Sequence, residues 1–273
     1  MTGGSLRRRR GRGLLLYALA YLTFLYLPVL FLPLFSFNDS IFIAFPLKHF
    51  TLRWYGEMVG DPALLHALAN SLAVGAFSAL VSTAIALSAA RALTKYRLKG
   101  AGAALSFISL PLFIPDIVIG ISLLILVNWI AIPLSLVTIG VGHVLICTPF
   151  ALAVLMSRLS GADPALEEAS RDLGRGAMAT FLRLTLLLAL PGIVASLLLT
   201  FIVSFDEFLI AYFLAGTEAT LPIFIWGELR FPAKLPIVLA LGATILAATG
   251  GLVLAAEWLR NLGRGDRAPA LGA

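Results

Sequence analysis

Uncharged or nearly uncharged apolar stretches of roughly 20 residues recur along this chain, the length an α-helix needs to cross about 30 Å of hydrocarbon. Six are legible, at 14–35, 71–90, 105–127, 135–156, 192–214 and 235–257. Of the 273 residues, 60 % are hydrophobic and only 12 % are charged, with a mean hydropathy of +1.00. Charges this sparse cannot coat a soluble surface, which excludes a soluble enzyme, a DNA-binding module and a disordered chain. The fold class is an all-α membrane protein with six transmembrane helices. The first run follows Arg7, Arg8, Arg9, Arg10 and Arg12, as a secretory signal would. Its apolar core is too long for one, and no small-x-small pattern precedes Ser36-Phe37-Asn38-Asp39. It reads as an uncleaved first helix.

Orientation follows from where the cations sit. With the N-terminus cytoplasmic, sixteen of the 20 Lys and Arg residues fall inside, from the N-terminal tail, the loops after the second and fourth spans, and the C-terminal tail. Only Lys48, Arg53, Arg230 and Lys234 fall outside. The positive-inside rule therefore puts both termini in the cytoplasm. Topology accounts for the formal charge of +6, so it does not point to nucleic acid. The organisation expected is a basic cytoplasmic tail at 1–13, a six-span domain at 14–257 and a cytoplasmic tail at 258–273. A single cysteine, Cys147, excludes an intrachain disulfide and a cysteine-cluster metal site.

The inner loop at about 158–191 is the most informative segment. Asp163 suits an N-cap, Pro164 the first helical position, and Gly174 a left-handed helix end. Leu166 holds the third helical position, so no reciprocal capping box forms. Glu167 and Arg171 are i, i+4 partners in the favourable order. Residues 177–190 then read as a second helix leading to Pro191-Gly192. A capped helix, a glycine turn and a second helix on the inner membrane face suit insertion into a groove on a cytoplasmic partner. A plain surface connector would look similar on helix chemistry alone.

Glu168-Ala169-Ser170, followed by Gly174, resembles the EAA loop of ABC-importer permeases, E-A-A-x3-G-x9-I-x-L-P. Ser170 stands for the second Ala, Leu184 for the Ile and Leu187 for the Pro, while Leu186 keeps its place. Pro191 is expected to supply the missing bend. Asn70-Ser71-Leu72 is similar to the start of that core domain. Ser36-Phe37-Asn38, Phe50-Thr51-Leu52-Arg53-Trp54-Tyr55, Pro115-Asp116-Ile117, Ser204-Phe205-Asp206-Glu207-Phe208 and Thr220-Leu221-Pro222 resemble one branch, the second permease of spermidine/putrescine-type importers. The resemblance spans about 36–257. It implies type I permease architecture in a bacterial inner membrane, with surrounding lipid. It also implies a second permease subunit, two ATP-binding-cassette ATPases and a periplasmic solute-binding protein as partners. Glu167, Glu168, Ala169, Ser170 and Gly174 would form the ATPase-coupling loop. ATP and Mg would sit on the ATPases, with no cofactor on this chain.

The membrane interior contains acids and no fixed cation. Asp116 is expected mid-helix, and Asp206 and Glu207 in the outer half of the fifth span. A carboxylate in hydrocarbon costs several kcal/mol, so it faces a polar cavity or a partner, and a cationic solute such as a polyamine is a natural counter-ion. Phe205 and Phe208 flank that path. Other readings stay open: Asp116 satisfying backbone groups freed by Pro111 and Pro115, and Asp206 and Glu207 lying at the interface. His143 reads as a hydrogen-bonded packing residue and Cys147 as inert filler. Ser71, Gly75, Ala79 and Thr83, four apart, form a small-residue face for helix packing. Trp54-Tyr55 suits either a binding-protein contact or an aromatic belt. No P-loop, zinc-protease motif or nucleophile triad is present, so ATP hydrolysis, catalysis and metal binding are not expected here. The expected function is the pore subunit of an ATP-driven importer for a small cationic solute. Importers of other small solutes and ion-driven secondary transporters are the alternatives.

Overall fold

The structure is a computed structural model describing residues 3–96, 99–161 and 163–262. Arg97 of the second basic loop and the tail beyond Leu262 lie outside these residues. Among those described, no strand forms beyond a single antiparallel bridge between Asn38 and Phe50. In chain order the helices are α1 (Gly3–Ser36), α2 (Arg53–Val59), α3 (Pro62–Lys95), α4 (Ala101–Ser109), α5 (Asp116–Trp129) and α6 (Leu136–Ser160). They continue with α7 (Pro164–Asp172), α8 (Ala177–Thr180), α9 (Leu186–Asp206), α10 (Leu209–Leu214), α11 (Leu221–Glu228) and α12 (Leu235–Leu262). Among the described residues five helical stretches are long and apolar enough to cross a membrane, or six if one bent pair counts as a single span.

The chain divides into two compact units. One holds α1, α2 and α12. In it the segment after α1 is ordered by polar anchors: Trp54 is 3 % exposed and donates Nε1–H to the Asn38 carbonyl at 2.9 Å. The Tyr55 hydroxyl lies 2.7 Å from Ser36 Oγ, and Asn38 Oδ1 accepts the Lys48 N–H at 2.8 Å. Trp54 is therefore built into its own unit and offers no exposed ring for docking or anchoring, while Tyr55 stays half-buried. Burial of an indole demands a partner for its N–H, and the turn supplies one.

The other unit, Ala63–Trp226, holds the elements that matter for function. Its interior inverts the soluble pattern. Large apolar side chains such as Phe107, Trp129 and Val137 point outward, while Ser71, Ser78, Ser82, Thr83, Ser196 and Thr200 are buried. In lipid no hydrophobic force separates core from surface, so small and hydroxylated residues that permit close approach collect between helices. Gly75 illustrates it: a Cβ there would lie 3.0 Å from the Phe201 ring. Thr83 Oγ1 and Ser196 Oγ are 3.0 Å apart, which ties the small-residue face of α3 to α9. α6 packs along α9, and α10 packs on α5 and α6 around Ile139, Ile146, Cys147, Ile210 and Leu214.

Two expected spans are broken. The run at 105–127 is two helices bent by 103°, so Asp116 is not mid-helix but in the first turn of α5. Pro115 has no N–H to continue the ladder and forces Ile114 into an extended conformation (φ −95°, ψ 130°). The run at 192–214 stops at Asp206 and restarts at Leu209, with Glu207 extended between (φ −71°, ψ 120°).

The coupling loop also differs from expectation at its second half. Residues 177–206 form one helical stretch, so 177–190 is no separate surface helix. The irregularity is a π-helical turn at Phe181–Thr185, and helix continues through Pro191. Arg158 Nε donates to the Leu188 carbonyl at 3.0 Å beside the gap left by the proline.

Candidate functional site

Two places in the second unit hold the residues of interest. At the first, Asp163 accepts the Ala165 N–H at 2.9 Å and caps α7, with Pro164 at its start. Gly174 ends the element at φ +81°, and a Cβ added there would meet nothing within 4 Å. Only the backbone conformation selects glycine at this position. Leu166, Leu173 and Met178 are exposed along this helix–turn–helix, and Glu168 and Ala169 are exposed beside them.

Glu167 turns the other way. Its carboxylate pairs with Lys95, lies 3.3 Å from Arg91 Nη1, and accepts the Thr185 hydroxyl at 2.6 Å. The expected Glu167–Arg171 pair does not form, because two cations at the end of α3 outcompete one exposed i, i+4 partner. Burial alone would raise the Glu167 carboxyl. The hydrogen bonds from Lys95 and Thr185 and the charges of Lys95 and Arg91 outweigh that, and hold it at about 2. Arg91 also stacks over Phe181, 4.3 Å from the ring centroid. Ser170 Oγ lies 3.1 Å from Thr180 Oγ1. Together these contacts bind α7 to α3 and to the π-helical turn, around a cleft of about 500 Å³. Arg91, Lys95 and Thr185 had no sequence signal as a group, since they lie 76, 72 and 18 positions from Glu167.

The second place is the pair of helix breaks. Asp116 opens α5, where the helix dipole favours an acid. Glu207 Oε1 accepts the Ile210 N–H at 2.8 Å and so caps α10. α5 packs on α10, with the Gly120 Cβ direction 3.5 Å from the Leu209 carbonyl, which brings the start of α5 and the start of α10 into one packed pair. Asp206 is the exception. It ends α9, where the free carbonyls already make the site negative, and it is exposed. Among the described residues no Lys, Arg or His pairs with Asp116, Asp206 or Glu207. Phe208 packs against Tyr212 and Trp226, each at 5.5 Å between centroids. Phe205 instead stacks on Phe201 at 5.8 Å. The structure thus joins Asp116, Glu207 and Phe208 at one junction, with Asp206 at its edge, and adds Trp226, which sequence reading missed.

His143 is buried with Nδ1 2.7 Å from Ser204 Oγ, and Cys147 is buried with no disulfide partner, in line with packing roles.

A family model described as "Binding-protein-dependent transport system inner membrane component" matches residues 82–261. The chain belongs to that family. This inner-membrane component is 35 % identical over 237 residues to the putrescine transport system permease protein PotI of Escherichia coli K12, covering 84 % of this chain and 83 % of the relative. It is 32 % identical over 239 residues to the spermidine/putrescine permease PotC of the same organism (87 % and 90 %). A probable molybdenum ABC transporter permease of Haloferax volcanii is 32 % identical over 204 residues (69 % and 76 %). The fold is shared with a chain of a bacterial ABC transporter involved in alginate import, at a TM-score of 0.73 and 16 % identity, over 96 % of this chain and 99 % of that one. The inner-membrane component is therefore an ABC-importer-type permease, and both places described above lie on that scaffold.

Proposed function

We propose that this permease subunit carries putrescine or a related polyamine through the inner membrane of a bacterium, driven by ATP hydrolysed elsewhere in its complex. The complex pairs it with a second permease subunit, two ATP-binding-cassette ATPases and a periplasmic binding protein. Both termini face the cytoplasm, as the cation distribution favours. ATP and Mg are held by the ATPases, and no cofactor or metal resides on this chain. The ATPases dock on the element from Asp163 to Met178, through Glu168, Ala169, Ser170 and the exposed apolar side chains around Gly174.

The observation that carries the reading is the 35 % identity to the putrescine permease over 84 % of the chain. The Haloferax relative has similar identity and a different named cargo, so side-chain chemistry must choose between them. Asp206, Glu207 and Asp116 meet no described cation, and aromatic faces stand beside them, which suits an alkylammonium chain. An anion would meet only repulsion there.

The test is reconstitution of the complex in vesicles with its binding protein. Uptake of radiolabelled putrescine that tracks ATP hydrolysis is expected. Uptake by this chain without an ATPase on an ion gradient overturns the reading, and so does ATP-driven uptake of anions with none of putrescine.

A further inference from the structure

One carboxylate, that of Glu167, joins three helices. It belongs to α7, pairs with Arg91 and Lys95 at one end of α3, and accepts a hydrogen bond from Thr185 at the head of α9. The cleft around it contains acids and bases in near balance, so these cations serve Glu167 and leave no anion site.

Toward its far end, two to three turns in from Pro62, α3 is anchored just as specifically. Asn70 Nδ2 donates to the Ala219 carbonyl at 2.9 Å and to Glu218 Oε2 at 3.3 Å. Ser71 Oγ accepts the Leu221 N–H at 2.8 Å. These contacts hold the segment 215–221, whose turn carries Gly216 at φ +60°. From Asn70 to Lys95 α3 runs unbroken for about 38 Å at the α-helical rise, and the whole 34-residue helix has proline only at its first position. Both spans packed around the acidic junction are interrupted, at Pro115 and at Glu207. Displacement applied to a broken span is absorbed at the break. Displacement applied to α3 arrives at the other end.

We propose that Glu167 is a positioning residue that transmits movement of the docking helix α7 through α3 to the segment 215–221 at the opposite mouth of the permease. The proposal rests on the reading of α7 as the ATPase-docking element. It assigns Glu167 a role apart from Glu168, which faces outward: Glu168 meets the partner and Glu167 passes the motion on. Coupling of two distant sites through one element with two discrete positions is a free-energy linkage and is measurable as such.

The experiment uses the assembled complex in vesicles, with Cys147→Ser to remove the native thiol and Thr217→Cys as an exposed reporter. The labelling rate at position 217 by an impermeant maleimide is measured with ADP and with a non-hydrolysable ATP analogue. With Glu167 intact, the two rates are expected to differ about fivefold or more, the lower bound of ordinary allosteric coupling. Glu167→Gln is expected to abolish that difference and to raise the ATP hydrolysed per putrescine imported. The charge-swapped pair Glu167→Lys with Lys95→Glu is expected to restore both. A normal nucleotide response in Glu167→Gln overturns the proposal and leaves the docking reading standing. No response even with Glu167 intact overturns the docking reading and the proposal with it. If Glu167→Gln does not assemble, the swapped pair decides: a restored response supports the proposal and an absent one overturns it.

Discussion

His143 Nδ1 meets Ser204 Oγ at 2.7 Å, linking the first third of α6 to the last turn of α9, two residues before Asp206. The bond fixes where α9 ends against its neighbour. His143 Nε2 is buried with no hydrogen-bond partner, so this imidazole depends on Ser204 for its polar contact. Removing one partner should then cost more than removing both. Ser204→Ala is expected to destabilise the protein by about 1–3 kcal/mol, the cost of an unmet buried polar group. The double variant His143→Leu with Ser204→Ala should recover part of that loss. Thermal unfolding of the purified variants in one detergent checks the cycle.

Gly174→Val should act through the backbone alone, because its φ of +81° is costly for a β-branched residue and no neighbour is near enough to clash. The expected cost is about 1–2 kcal/mol, spent at the end of α7. Membrane insertion should persist while ATPase association and uptake fall. Gly174→Asn, which tolerates the left-handed region, should retain most of both. Equal loss in the two variants would show that side-chain volume, not conformation, governs the position.

Asp206 and Glu207 are adjacent in sequence but differ in what they do. Asp206→Asn should reduce putrescine uptake about tenfold or more with the complex intact, since it removes an unpaired charge from a weakly screened site. Glu207→Gln keeps an oxygen for the Ile210 N–H and should reduce uptake less. Glu207→Leu loses that cap and should lower the yield of assembled complex first. Initial uptake rates normalised to intact complex separate these outcomes.

Topology is tested with single cysteines in the Cys147→Ser background. Position 59 is the better outer reporter, since Val59 is 62 % exposed whereas Trp54 is buried. With only the outer membrane permeabilised, Val59→Cys should react with an impermeant thiol reagent. Arg175→Cys should react only after the inner membrane is opened. The reverse pattern would invert the map.

Several elements were legible in the sequence because they depend on neighbours along the chain. The cap at Asp163, the left-handed Gly174 and the small-residue stripe of α3 each follow from local chain geometry, and each forms. The break at Glu207 was missed, and the one at Pro115 was read only as freed backbone groups within a single span, because composition reads only apolarity. Residues 105–127 and 192–214 are as hydrophobic as unbroken spans, and the break depends on which backbone groups find partners. Pro115 announced itself as a candidate, but nothing local to Glu207 marks a restart. Its carboxylate takes a backbone N–H that a continuing helix would have used.

Sequence alone determined the apolar runs, the charge asymmetry and the capped loop, since helix length, bilayer thickness and capping chemistry are local constraints. Tertiary structure alone decided the partners of Glu167. Glu167 had a plausible mate four residues away in Arg171, yet it binds Arg91 and Lys95, more than 70 positions distant. The reason is electrostatic: two cations held at the end of one rigid helix, away from bulk water, attract a carboxylate more strongly than one exposed arginine that water already solvates.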